Sequence, residues 1–69
     1  MIGKSYGVKS VYAILSTLSI GQGIIVHLDY TSLEGTWSGF ADELATIISP
    51  VDQDTVYIPL NNIRGVTVR

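Results

Sequence analysis

The apolar positions of the chain change period once. Val8, Val11, Tyr12, Leu15 and Leu18 recur at helical spacing, and Ile14 widens the stripe. Lys9, Ser16 and Ser19 fall on the polar side. The spacing predicts a helix over about 8–19, with Ser5 or Ser10 to cap its start and Gly21 to stop it. Beyond Gly21 the period becomes two. Ile24, Val26, Leu28 and Tyr30 share one face of a strand, and Ile25, His27 and Asp29 share the other. Read onward in this way, the chain predicts strands over about 22–30, 33–41, 44–50, 55–60 and 64–68. Thr31-Ser32, Asp52-Gln53-Asp54 and Asn61-Asn62 supply turns, the aspartates because their side chains bond local backbone. The expectation is one mainly β domain over 1–69 with a short N-terminal helix.

The second strand has two glycines in it, Gly35 and Gly39, on either side of Trp37. Glycine weakens a strand interior, so each calls for a geometric reason. Leu33, Gly35, Trp37 and Gly39 share one face by alternation, which leaves Phe40 out of phase with Trp37. One extra residue at Gly39 would return Phe40 to the inner face, so a bulge is expected there. Gly35 would let the same strand bend with no Cβ in the way. A second strand bent twice, among five short strands, describes a small, strongly bent SH3-like or Sm-like barrel.

Composition adds a demand that the pattern does not show. The chain has 69 residues, 46% apolar and only 14% charged, where about 25% charged is ordinary. A domain this small buries only roughly 60% of its surface, and small domains are commonly stapled. With no cysteine, disulfides and cysteine-bound zinc are excluded. One histidine, His27, offers no metal site by itself, and no cofactor is expected. Oligomerisation is the remaining staple. The net charge of −2 argues against a basic nucleic-acid surface and against anionic membranes. Val11–Leu28 is uncharged, but Ser16, Thr17, Ser19, Gly21, Gln22 and Gly23 interrupt it as a membrane span. Lys4 and Lys9 precede it as in a signal peptide, yet no small-x-small cleavage site follows, so a cytoplasmic chain is expected.

Gly35, Trp37, Gly39 and Phe40, with Leu44 four residues on, resemble the first motif of the Sm-like (LSm) family. That motif runs Gly-x-apolar-x-Gly-Phe-Asp-x-x-Met-Asn. The likeness spans nearly the whole chain in element order and is to a divergent member of the bacterial or phage type. It implies a helix followed by five bent strands, a ring joined strand four to strand five, and RNA as a partner. Departures fall where the family binds a uridine. Ala41 stands for the aspartate after phenylalanine, with Asp42 one place later, and Ala45 stands for the base-contacting asparagine. Pro59-Leu60 occupies the place of the Arg-Gly of the second motif, with Asn61 and Asn62 following. Ile63-Arg64-Gly65 looks like that motif but falls past the turn, in the fifth strand. The uridine pocket is therefore expected to be altered or lost, and any RNA contact to run through Lys4, Lys9, Asn61 and Asn62.

Other chemistry is thin. His27 and Asp29 share a strand face and could pair, and with a serine they would suggest a triad. No serine sits in a nucleophile elbow, and no catalytic residue is assigned. Asp42 and Glu43 could bind a cation, but adjacent residues point apart and fit a solvated turn. Trp37, Tyr57 and Tyr30 could stack bases, though alternating strand positions suit filler of a core or interface. The fourth and fifth strands are the expected sheet edges. Val56, Tyr57 and Ile58 on one, and Val66, Thr67 and Val68 on the other, are the expected oligomer interface. The expectation is a non-enzymatic, homo-oligomeric Sm-like ring that binds RNA weakly. The alternative is a ring that serves as a structural or protein-binding scaffold.

Overall fold

The structure is a computed structural model that describes residues 8–69. It opens with helix α1 (Val8–Ser16), followed by strands β1 (Gly23–His27), β2 (Ser32–Ala41), β3 (Leu44–Ile48), β4 (Thr55–Pro59) and β5 (Gly65–Val68). A 3-10 turn, Leu60–Asn62, joins β4 to β5. The strands form one sheet in the order β4-β3-β2-β1-β5, antiparallel at every junction. The sheet is not closed, so β4 and β5 are its two edges, as the sequence leads one to expect.

Several elements stop short of the predicted bounds, each for a local reason. Ser16 and Thr17 end α1 by turning their hydroxyls back onto the carbonyls of Tyr12 and Ile14. The Thr17 amide also bonds Ile14 in the tighter three-residue pattern. Ser10 lies inside the helix and not at its cap, and Ser5 lies outside the described residues. Strand β1 stops at His27, because the Leu28 amide bonds the Thr31 carbonyl at 2.8 Å and closes a turn. Tyr30 sits at the tip of that turn, 99% exposed, instead of continuing the inner face. Strand β3 stops at Ile48, where Ser49 and Asp54 bond across the next turn and Asp52 Oδ1 accepts from the Asp54 amide.

Val11 and Leu15 of α1 seal one face of the sheet against Ile24, Val26, Trp37, Ala45, Ile47 and Ile58. Leu60 and Ile63 close the end of this core. The bend in β2 is built as its phase suggested. Trp37 pairs with Ile47 and Gly39 with Thr46, so Ser38 is the extra residue of a bulge. Gly39 takes φ +101°, which side chains rarely adopt. Phe40 returns to the core side, edge-on to Trp37 at 4.9 Å and stacked on Tyr12 at 4.7 Å. Thr46, the one buried polar residue among those described, donates its hydroxyl to the Gly39 carbonyl at 2.6 Å. Gly35 has a different reason: a Cβ there would stand 2.5 Å from the Ile48 carbonyl oxygen.

Candidate functional site

Two turns meet at one end of the sheet. Ala41 and Leu44 close the β2–β3 hairpin, with Asp42 in the left-handed region at φ 57°. Aspartate tolerates that region because its short side chain can bond locally. Across from it, Leu60 buries its side chain and holds the 3-10 turn in place. Its amide reaches the Glu43 carbonyl at 3.4 Å. Glu43, Leu44, Pro59, Leu60 and Asn61 line an open groove of about 360 Å³ between the turns. The groove offers an apolar floor, one carboxylate and one amide. No cation among the described residues lines it, and Asp42 is exposed beside it. This chemistry repels phosphate and suits an uncharged or cationic group.

The residues expected to contact RNA reach this groove unevenly. Asn61 lines it and Asn62 is exposed next to it. Ala45 is fully buried and has no hydrogen-bonding side chain to offer. Arg64 lies elsewhere, paired through Nε and Nη2 with both carboxylate oxygens of Asp29. Lys9 lies in the first turn of α1, and Lys4 lies outside the described residues. Trp37 is 3% exposed and unavailable for stacking, while Tyr30 and Tyr57 are exposed.

His27 and Asp29 do not pair. His27 Nδ1 lies 2.9 Å from Ser32 Oγ, and its Nε2 lies 2.7 Å from Thr67 Oγ1. In neutral imidazole one nitrogen donates and the other accepts, and either hydroxyl can complement it. Both ring nitrogens are thus used to tie β1 to its neighbours. Asp29 is taken by Arg64, whose hydrogen bond holds the carboxyl below its ordinary pKa; burial opposes this slightly. The same pair raises Arg64. No group of three or more His, Asp or Glu able to hold a metal occurs among the described residues.

The edges are the more distinctive feature. Val66 and Val68 of β5 lie opposite Val26 and Ile24, on the core side. Val68 is nevertheless 48% exposed, because no described residue covers the far side of β5. On β4, Val56 is half-buried and Tyr57 is 58% exposed. Of the residues expected at the interface, Ile58 turns its side chain into the core, 3% exposed, opposite Ala45 of β3. Thr67 is exposed, and its hydroxyl is engaged by His27. The sequence reading did not single out Arg69, which sits just past β5 and bonds Glu34 at 2.9 Å. Its signal was the charge order: Asp52 and Asp54 precede one edge strand, and Arg64 and Arg69 bracket the other.

Comparison of the chain with protein-family models, with curated proteins and with solved structures gives no match. No helix among the described residues is long and apolar enough to cross a membrane.

Proposed function

We propose that the chain is a non-enzymatic, Sm-like ring subunit, a bent five-stranded barrel whose two open edges pair between copies. The observation that carries this reading is the sheet order β4-β3-β2-β1-β5, in which no described strand pairs with the outer side of either edge strand. An unpaired edge presents a row of backbone donors and acceptors, and soluble proteins ordinarily defend it with charge, proline or a cover. Here Pro59 blocks only the end of β4, and the four residues of β5 carry no charge. Joining β4 of one copy to β5 of the next is a heterologous contact, which closes into a ring when the rotation allows. The resemblance of Gly35, Trp37, Gly39 and Phe40 to the first Sm motif points the same way. The ring works in the cytoplasm on this reading.

RNA is the partner that the resemblance implies, and the groove between the two turns is the natural place for a base. Glu43 and the lack of a lining cation among the described residues weaken that contact. Binding would then run through Lys4, Lys9 and backbone groups, with steep salt dependence. The same carboxylate favours the second reading, a ring that serves as a scaffold for protein.

Light scattering with and without short oligo-U or oligo-A RNA tests both parts. The wild-type mass is expected at a multiple of 7.5 kDa. A wild type that stays monomeric at high micromolar concentration overturns the ring. Tight oligo-U binding that survives high salt and is lost on Asn61→Ala or Asn62→Ala overturns the weak-pocket reading.

A further inference from the structure

We propose that the groove between the β2–β3 turn and the 3-10 turn is a docking pocket for an arginine side chain of a protein partner. The arginine stem lies on Leu44, Pro59 and Leu60, and its guanidinium meets the Glu43 carboxylate. The inference rests on the second reading above, in which the chain binds protein, and gives that reading a ligand. It does not depend on the ring, because one chain supplies every lining residue.

The groove is built before any ligand arrives. Leu44 pairs with Pro59 on the end rung of the β3–β4 ladder, so the sheet fixes the spacing of the two walls. Leu60 follows Pro59 directly and is anchored in the core, 8% exposed. Its amide reaches the Glu43 carbonyl at 3.4 Å, which holds the 3-10 turn against the hairpin. The volume of about 360 Å³ lies within the range of about 300–1,000 Å³ usual for ligand sites. Docking into a preformed groove orders little of the protein, so less affinity is lost to ordering.

Sign and shape together choose the occupant. Glu43 is exposed at the groove, Asp42 is exposed beside it, and no cation among the described residues lines it. Both ion pairs among the described residues engage other acids, Asp29 and Glu34, so they neutralise neither Asp42 nor Glu43. An anion is repelled here, and a cation is drawn in. A small hydrated cation would use the carboxylate alone and leave Leu44, Pro59 and Leu60 bare. A long basic side chain uses both parts, since it lays its methylenes on apolar surface and keeps its charged head in water.

Arginine suits the groove better than lysine. Its planar fork has donors enough for both oxygens of the Glu43 carboxylate and for the side-chain oxygen of Asn61, which lines the same groove. A guanidinium is also more weakly hydrated than an ammonium, so it gives up less on entering a largely apolar site. The same features disfavour a nucleotide, whose phosphate would approach Asp42 and Glu43.

The full chain can be titrated with a blocked glycyl-arginyl-glycine peptide and followed by its amide chemical shifts. The shifts are expected to centre on Glu43, Leu44, Leu60 and Asn61 and to saturate in the millimolar range, roughly what one side chain supplies. Citrulline in place of the arginine keeps the shape and removes the charge, and is expected to weaken binding at least about tenfold. Glu43→Gln should weaken it as much. Asp52→Asn removes the same charge beyond the opposite end of β4, farther away than a Debye length, and should leave binding within about twofold. The spectra also report whether each variant is folded. Equal binding of the citrulline peptide, or by Glu43→Gln, overturns the proposal. Equal binding of a lysine peptide overturns the choice of arginine. Uridine monophosphate that moves these amides where the arginine peptide does not would give the groove to RNA and overturn the proposal outright. Light scattering on the same samples separates this inference from the ring. A monomer that binds the arginine peptide loses the ring and keeps the pocket, and a ring that does not bind it keeps the ring and loses the pocket.

Discussion

The β2–β3 junction and the two sheet edges are made from similar residues and treated in opposite ways. At the junction every polar demand is met within the chain. The bulge exposes the Gly39 carbonyl, and the Thr46 hydroxyl caps it at 2.6 Å. Gly35 lets the strands approach so closely that no Cβ fits below the Ile48 carbonyl. No buried side-chain nitrogen or oxygen lacks a partner among the described residues. At the edges the outward backbone groups of β4 and β5 have no partner strand among the described residues, and Val68 and Tyr57 stand half-exposed. The contrast marks where the fold is self-sufficient. Its middle is finished, and its rim leaves backbone groups without a partner strand among the described residues.

The most severe damage to the middle is expected at Gly35. Gly35→Val puts a side chain against backbone that cannot move aside, and the expected loss is on the order of 3 kcal/mol or more by thermal or urea unfolding. An unchanged melting temperature would mean that the strands do not approach as described. Gly39→Val should cost less, about 1–3 kcal/mol, because only the backbone conformation objects. The space there is open, with Ile20 Cδ1 the nearest atom at 3.4 Å. A straight strand in the variant, with Phe40 turned to solvent, would contradict the bulge.

The rim should respond in the reverse sense. Val68→Lys changes a half-exposed side chain and should leave unfolding of the single chain within about 0.5 kcal/mol. Its effect is expected in the mass, which should fall to that of a monomer. A variant that loses fold and assembly together would erase the distinction between middle and rim. The smallest effect is expected at Asp29. Its folded-state pKa is lowered by Arg64, so its contribution is present above the ordinary carboxylate value and is lost as pH falls through the lowered one. Asp29→Asn should flatten that acid limb slightly, because the pair is exposed to solvent. An acid limb identical to wild type would show that the pair is worth nothing.

Periodicity made much of this readable in advance. The helical stripe located Val11 and Leu15, and the phase slip between Trp37 and Phe40 located the bulge. The number and order of strands placed the edges. What escaped was set by contacts that alternation does not report. Thr46 looks like an ordinary strand threonine until the bulge presents it with a carbonyl. His27 and Asp29 share a face on paper, but the chain turns at Leu28 and hands Asp29 to Arg64. Ile58 was assigned to the edge because its whole strand was. A strand edge is made of backbone, however, and the side chain of Ile58 belongs to the core. The groove at the two turns was not legible, because it is made by Leu44 and Leu60 meeting across two turns that are 16 residues apart in the chain.

Amide exchange followed as a function of protein concentration tests edge pairing most directly. The outward amides of residues 55–58 and 65–68 should slow as concentration rises, because a second copy bonds them on this account. Amides of β2, already bonded on both sides, should show no such dependence. Equal exchange of the β4 and β5 amides at all concentrations, up to those where the chain remains soluble, would contradict the account.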